Sequence, residues 1–423
     1  MEKLDVLLGL QWGDEGKGKV VDVLTPGYDI VARFQGGPNA GHTLEFNGQK
    51  HVLRSIPSGV FQPGTVNVIG NGVVLDPELF AAEAAELEKS GVDMQKVLRI
   101  SRKAHLIMPT HRLLDAANEA AKGKARIGTT GKGIGPTYTD KVSRYGLRVG
   151  DLELDFDKRY QAARDRHLQM LAQMGYQLPD DFAERERRWL QAAAMARFEL
   201  ADTDWLINDA LRDGKKVLAE GAQGTMLDVD FGSYPFVTSS NTVSAGACIG
   251  LGVAPRNIGD VYGIFKAYCT RVGAGPFPTE LFSADGKTMQ ERGHEYGAVT
   301  GRERRCGWID LVALRHAIQV NGVTKLIMMK GDVLDTFPIV RACVAYEING
   351  RRTDRFPYDA AAVNIRPVYE DLPGWQTDLT GAKSAEDFPE NFRSYIRYLE
   401  EKLGVPVAIV SVGPDRLQTI RLD

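Results

Sequence analysis

The chain has 423 residues, 43% of them hydrophobic and 25% charged, and a formal net charge of −3. This is the make-up of a soluble globular protein with a large core, and it offers nucleic acid or an anionic membrane nothing to hold. No apolar run approaches membrane-spanning length and no signal h-region precedes the first apolar segment, so the expected compartment is the cytoplasm.

Leu4 to Leu10 reads as a buried parallel strand. Gly13, Gly16 and Gly18 follow, interleaved with Asp14, Glu15, Lys17 and Lys19, and an apolar pattern suited to a helix resumes at Val20. Strand, glycine-rich loop and helix together make an anion cradle, because helix N-terminal N–H groups face the ligand and missing β-carbons let phosphate approach. The spacing Gly13-x-x-x-x-Gly18-Lys19 is that of a P-loop, except that Val20 replaces the Ser or Thr that would hold magnesium. Asp14 is the oxygen ligand able to take over that contact. Taken alone, the motif also describes an ordinary glycine-rich turn with solvated charges.

Tyr28 to Phe34 predicts a second strand, ending in the polar loop Gln35-Gly-Gly-Pro-Asn-Ala-Gly-His-Thr43. In an open α/β sheet that is where ligands bind, and His42 there can give or take a proton near neutral pH. Val66 to Gly70 and Val97 to Ile100 predict further strands. Asp76 to Gly91 predicts a helix capped by Asp76, with Pro77 in its first turn, and Thr110 to Lys122 predicts another. A third glycine-rich loop, Ile127 to Pro136, carries Thr129 and Thr130 and suits a phosphate or a sugar.

Residues 155–212 read as a helical insertion with solvated charged faces. Lys216 to Thr225 returns to a strand and a polar loop, and Phe236 to Asn241 adds three hydroxyls and an amide. Val299 to Gly307 holds Arg302, Arg304 and Arg305, donor forks for an anionic ligand. Val323 to Asp332 is a strand ending in Lys330-Gly331-Asp332, where a carboxylate can accept both donors on guanine's edge. Val405 to Val410 is a last strand, and Ser411 to Pro414 would form the other wall of that pocket. The four cysteines, Cys248, Cys269, Cys306 and Cys343, lie far apart with no CxxC pair, as befits reduced thiols. The expected architecture is one α/β unit over residues 1–423, a mostly parallel P-loop-NTPase-like central sheet flanked by helices.

Several long strings resemble the adenylosuccinate synthetase family. They are Gln11-Trp-Gly-Asp-Glu-Gly-Lys-Gly-Lys19, Gly36-Gly-Pro-Asn-Ala-Gly-His-Thr43, Ile127 to Pro136, Glu220-Gly-Ala-Gln-Gly-Thr225, Val237 to Asn241, Thr270 to Glu280 and Val412 to Arg416. The resemblance implies GTP-dependent ligation of L-aspartate to IMP through a 6-phosphoryl intermediate, the committed step toward AMP. It implies Asp14, Lys17, His42 and Gln223 as the catalytic set, and one magnesium ion per subunit on Asp14 and the Gly41 carbonyl. IMP would be held by Asp14, Glu15, Gly16, Lys17, Asn39, Ala40, Gly41, His42, Thr130, Gln223, Thr238 and Arg302, with Arg144 reaching across a homodimer. Aspartate would meet Ala298, Val299, Thr300, Gly301, Arg302, Glu303 and Arg304. GTP would take the loop from Gly13 through Gly18 and Lys19, then Gly41, His42, Thr43, Arg304, Lys330, Gly331, Asp332, Ser411, Val412 and Gly413.

Two residues depart from the family's pattern. Glu303 interrupts a basic run, which would weaken closure on aspartate, and Gly331 replaces a larger residue, which would loosen the guanine pocket. Two other readings share part of these motifs: a GTP-hydrolysing switch, and a ligase of the same fold acting on another purine monophosphate. The switch leaves the 36–43 and 127–136 loops and the arginine cluster without a ligand.

Overall fold

In the computed structural model, Leu4–Gly9 (β1) forms the middle of a ten-stranded sheet, where its apolar residues are buried on both faces. Val6 and Leu8 point into one core with Ile207, Leu211 and Phe265, while Leu7 points into the other with Val21, Leu218 and Ile327. That two-sided burial is what a continuous apolar run is for, since alternate side chains leave opposite faces. The structure describes every residue except 1, 47, 124–125, 196–199, 298–300 and 423.

The other strands are Ile30–Arg33 (β2), Val66–Ile69 (β3), Leu98–Ser101 (β4), Leu200–Ala201 (β5), Val217–Glu220 (β6), Ile258–Lys266 (β7), Lys325–Met329 (β8), Val407–Ser411 (β9) and Thr419–Arg421 (β10). Their spatial order is β10-β9-β8-β7-β1-β6-β2-β3-β4-β5. Every neighbouring pair is parallel except β9 and β10. Helices cover both faces, among them Lys17–Leu24 (α1), Pro77–Lys89 (α2), Pro109–Ala121 (α3) and Ile134–Ser143 (α4). Asp76 caps α2 as expected, accepting from the N–H groups of Glu78 and Leu79. Among the described residues no helix is long and apolar enough to cross a membrane, and the four cysteines are free thiols.

Four expectations change. The first helix starts at Lys17 rather than Val20, because Gly16 takes the left-handed conformation that turns the loop into it. His42 and Thr43 belong not to a loop but to a hairpin, His42–Phe46 paired with Gln49–Leu53. Ile134 to Pro136 open α4, so the third glycine loop ends at Gly133. Region 155–212 holds Phe156–Gln173, Phe182–Met195 and Thr203–Arg212, but it is not wholly solvated decoration. Leu200–Ala201 closes one edge of the sheet, and Ile207 and Leu211 lie in the main core. A second sheet built from Ile309–Asp310, Ile339–Ile348, Arg351–Thr353 and Ile365–Pro373 had no expectation attached to it.

Candidate active site

The polar loops expected to bind ligand follow β9, β8, β1, β6 and β2, which with β7 are consecutive in the sheet. All emerge at the carboxyl edge of parallel strands, the edge where open α/β sheets bind ligands. Residues as distant as Gly13, Gly36 and Gln223 therefore meet. A β-carbon on Gly13 would stand 3.7 Å from the Gln223 backbone, and one on Gly36 3.1 Å from Gln223 Oε1. Gly18 is needed by the same convergence, since a β-carbon there would lie 2.8 Å from His42 Cβ.

The first loop braces itself. Glu15 is buried, accepts from the N–H groups of Gln11 (3.2 Å) and Gly13 (2.9 Å), and pairs with Lys17 Nζ at 2.5 Å. The Glu15 carboxylate is thus taken up inside the loop, leaving its backbone to serve a ligand. Gly16 caps α1 without any side-chain cap, so the first N–H groups of the helix remain available to an anion. Asp14 holds a left-handed backbone (φ 60°), and its carboxylate accepts from Arg304 Nε at 3.1 Å. A non-glycine residue held there is strained, a condition that collects at functional sites.

Lys19 departs from its P-loop expectation. Its ammonium is buried against Ser411 Oγ (2.8 Å), the Gly413 carbonyl (2.7 Å) and the Gln418 carbonyl (3.2 Å). It joins the phosphate loop to the wall at 411–413, and burial pushes its pKa down to about 8. Val20 is wholly buried in the core under α1.

His42 is buried, and its Nδ1 makes a short contact with Glu220 Oε1. Glu220, at the end of β6, also accepts from Ser58 N (2.8 Å) and Ser58 Oγ (2.6 Å). Burial pushes the His42 pKa down, with Arg33 and Lys17 acting in the same sense and Glu220 opposing them. Burial would raise Glu220, but His42 and Arg33 hold it below the usual carboxylate range. Glu220 therefore accepts, Nδ1–H donates, and Nε2 faces the site.

Among the buried atoms left without a hydrogen-bond partner, several lie on these loops. They include His42 Nε2, both amide atoms of Gln223, Asn39 Oδ1 and Asp332 Oδ1. Buried polar groups are normally satisfied, so a set of orphans on converging loops describes the complement of a polar ligand. Ala40 and Gly41 complete the turn below them, with Ala40 N donating to the Gly37 carbonyl. Thr43 follows on the hairpin, and Thr238 N is tied to the Leu227 carbonyl at 2.9 Å. Thr130 lies in the loop anchored by Glu119, which accepts from Gly128 N (2.9 Å) and Thr129 N (3.4 Å). That loop leads into α4, where Ile134 and Gly135 reach the 36–37 turn and Ser239.

Where the base pocket is expected, burial raises the pKa of Asp332, and Lys330 Nζ bonds the Gly293 carbonyl (2.6 Å) and Glu295 Oε1 (2.7 Å). Gly331 does not loosen this pocket. The space of its missing β-carbon is taken by the Phe392 ring, whose Cζ would stand 2.8 Å away. Ser411 and Val412 stand opposite, with Val412 N bonded to the Gln418 carbonyl.

Other expected residues are not gathered in. Arg144 is exposed beyond the carboxyl end of α4, the far end from Gly36; ten helical residues separate the two ends, about 15 Å at the usual rise. Asp140, one turn earlier, is fixed by buried His111 (3.2 Å) and His167 (2.7 Å) and by Arg166 (2.9 Å). Gly301, Arg302 and Glu303 are exposed, and Tyr296 and Glu303 form a bridge. Ala298, Val299 and Thr300 lie outside the described residues.

Of the two oxygens expected to hold a divalent cation, the Asp14 carboxylate accepts from Arg304, and Gly41 adjoins His42, which packs against Gly18. So few protein ligands suit magnesium, which keeps waters and phosphate oxygens in its shell. Sequence reading missed Glu220, Ser58 and Glu295. Glu220 stood inside a quoted string, but an acid closing an apolar strand carries no spacing signal.

A family model described as adenylosuccinate synthetase matches residues 6–420. The adenylosuccinate synthetase of Porphyromonas gingivalis is 69% identical over 421 residues, 99% of each chain. That of Parabacteroides distasonis is 67% identical over 419 residues, covering 99% of this chain and 98% of its own. Among solved structures, a fully ligated adenylosuccinate synthetase from Plasmodium falciparum aligns over 100% of both chains with a TM-score of 0.93 at 36% identity.

Proposed function

Because the chain belongs to the adenylosuccinate synthetase family, we propose that it joins L-aspartate to IMP at the expense of GTP, giving adenylosuccinate, GDP and phosphate. The observation that carries this reading is the set of unpartnered buried atoms around His42, Gln223 and Asn39, with a separate one at Asp332. Two polar ligands are called for, a purine nucleotide beneath the first set and a guanine at the second.

Asp14 removes the N1 proton of IMP, so that O6 attacks the γ-phosphorus and the bond to GDP breaks. The carbonyl oxygen at C6 is a poor leaving group; phosphorylated, it departs as phosphate when the aspartate amine attacks C6. His42 Nε2 donates to the transferred group. With Nδ1–H already given to Glu220, Nε2 can donate only as imidazolium, and the neighbouring carboxylate supports that charge. Lys17 and the N–H groups of α1 stabilise negative charge on the phosphates. Gln223, with both ends of its amide free, fits the purine edge.

Asp14 and the Gly41 carbonyl would hold one magnesium ion per subunit, which would neutralise charge on the transferred phosphoryl group. Thr130, Thr238, Asn39 and Arg302 would contact IMP. Residues 298–304, Arg302 and Arg304 among them, would receive aspartate. Ser411 to Gly413 would wall the guanine. We read residues 1–423 as one domain with 155–212 inserted, a reading supported by the strands near both chain ends lying in one sheet, and the compartment as cytoplasmic. The decisive assay is adenylosuccinate formation from IMP, aspartate, magnesium and GTP. GTP splitting at the same rate without IMP and aspartate would favour the hydrolytic switch.

The guanine assignment rests on hydrogen-bond complementarity. Asp332 offers two acceptors to the N1–H and N2–H of guanine, whereas xanthine puts a carbonyl in place of the amine. Asp332→Asn is expected to weaken GTP use by about ten- to a hundredfold and to improve XTP use, since a buried mismatch costs about 1–3 kcal/mol. Assays against GTP, XTP and ATP check this; loss of GTP use without gain of XTP would count against the pocket.

Arg144 cannot serve the site at the other end of its own helix. In a homodimer it would reach the partner's IMP phosphate, and exposed Val142 (81%) beside it suits an interface. Mixing Arg144→Leu chains with Asp14→Asn chains is expected to restore activity, because each mixed dimer holds one intact site. No recovery after verified subunit exchange would argue against a shared site.

A further inference from the structure

The most heavily engaged carboxylate in the described structure is Glu295, which no ligand assignment above uses. It is fully buried and receives Lys266 Nζ on both oxygens (2.9 and 3.0 Å), Lys330 Nζ (2.7 Å), Arg304 Nη1 (2.6 Å) and a short contact from the Tyr268 hydroxyl. Burial alone would raise its pKa, but the three cations hold it well below the usual carboxylate range. Its backbone carbonyl also accepts from Arg304 N at 2.9 Å.

Two of those cations belong to opposite ends of the proposed GTP site. Lys330 precedes Asp332 by two residues and forms the base pocket. Arg304 extends past Glu295 to Asp14 Oδ2 at 3.1 Å, within the phosphate loop. Lys266 is different: it ends β7, is wholly buried, and spends its remaining bond on Thr270 Oγ1 (2.7 Å). It is a structural counter-charge.

We propose that Glu295 is a positioning residue that couples recognition of the guanine to the placement of Asp14, because one carboxylate orients both Lys330 and Arg304. Three cations around it and a second carboxylate at Asp14 form a small rigid network in which a displaced Lys330 changes the pull on Arg304. This rests on the reading of Asp14 and Asp332 given above. Its consequence is that the identity of the donor base affects kcat and not only KM.

The test uses the full chain and two donors, GTP and ITP, which lacks the exocyclic amine. In the unaltered enzyme ITP should lower kcat as well as raise KM. Glu295→Gln should lower kcat with GTP by about tenfold or more, within the range of site–site couplings, and remove the difference in kcat between the donors. Because this variant leaves two buried cations, Lys266 and Arg304, and the partly buried Lys330 short of a counter-charge, its Tm should fall. Adding Lys266→Met removes one cation and should restore Tm, while kcat stays low and indifferent to the base.

If kcat and its dependence on the base return together with Tm, Glu295 only balances charge and the proposal fails. It fails equally if ITP and GTP give the same kcat in the unaltered enzyme. Absence of adenylosuccinate with any donor would instead overturn the proposed function. Amide exchange in the unaltered protein needs no variant: GDP should slow exchange at Arg304, whose N–H bonds Glu295, as well as at 331–335. Protection confined to 331–335 would overturn the coupling.

Discussion

Asp14→Asn should reduce turnover by about a hundred- to ten-thousandfold, the span attributed to a positioned general base, with the fold unchanged. Asn has no basic oxygen at neutral pH, so the N1 proton of IMP stays in place and O6 remains a weak nucleophile. It is also a poorer magnesium ligand than a carboxylate. The substitution is sterically mild: the side chain is 31% exposed and its contact in the structure is Arg304, so Tm should move little. Steady-state rates of adenylosuccinate formation, with circular dichroism as the check on folding, measure both. A rate within about tenfold of the unaltered enzyme would remove Asp14 from the role of base, since such a base contributes at least about a hundredfold.

His42→Asn should cost about a hundredfold or more in kcat, as loss of one donor to the transferred group does. Glu220→Gln should cost less, and it should leave a particular trace in the pH profile. Burial already lowers the His42 pKa, and Glu220 is the main group opposing it. Removing that negative charge lowers the folded pKa further, so the imidazolium is lost at a lower pH. Activity that requires Nε2 to donate falls as pH rises through this pKa, and the basic limb should move down by about one unit or more, the usual effect of one close charge. The measurement is kcat against pH for both proteins at saturating substrates. An unmoved limb with a lowered rate would mean that Glu220 merely holds the ring in place.

Much of the local structure was legible before any coordinates. Leu4 to Leu10 is too uniformly apolar for a half-exposed strand, and the glycines after it can serve only a close turn. Asp76 and Pro77 announce the start of α2 by capping chemistry alone. The loops at 13–16, 36–41 and 221–224 were visible as loops because Gly, Asn and Gln interrupt apolar runs. The second sheet was not legible, because Arg341 and Glu347 interrupt the apolar run of its longest strand and Arg351–Thr353 and Ile365–Pro373 are rich in charge. The start of α1 was missed because Gly18 in its first turn continues the glycine spacing of the loop and masks where the helix begins.

By itself the sequence determined the inner strands of the main sheet, the permissive glycine loops after them and the polar residues those loops carry, since these depend on neighbours within a few residues. Tertiary structure alone decided their adjacency. Glu220 meets His42 across 178 residues of chain only because β6 lies beside β2. Lys330 and Lys266 find Glu295 because β7 and β8 are neighbours, and Arg304 joins them where its N–H bonds the Glu295 carbonyl. Lys19 turns from the expected phosphate to Ser411 because β9 brings that loop to the mouth of α1. A buried ionisable group is tolerable only where partners assemble around it, and that assembly is set by strand order, which no local pattern encodes.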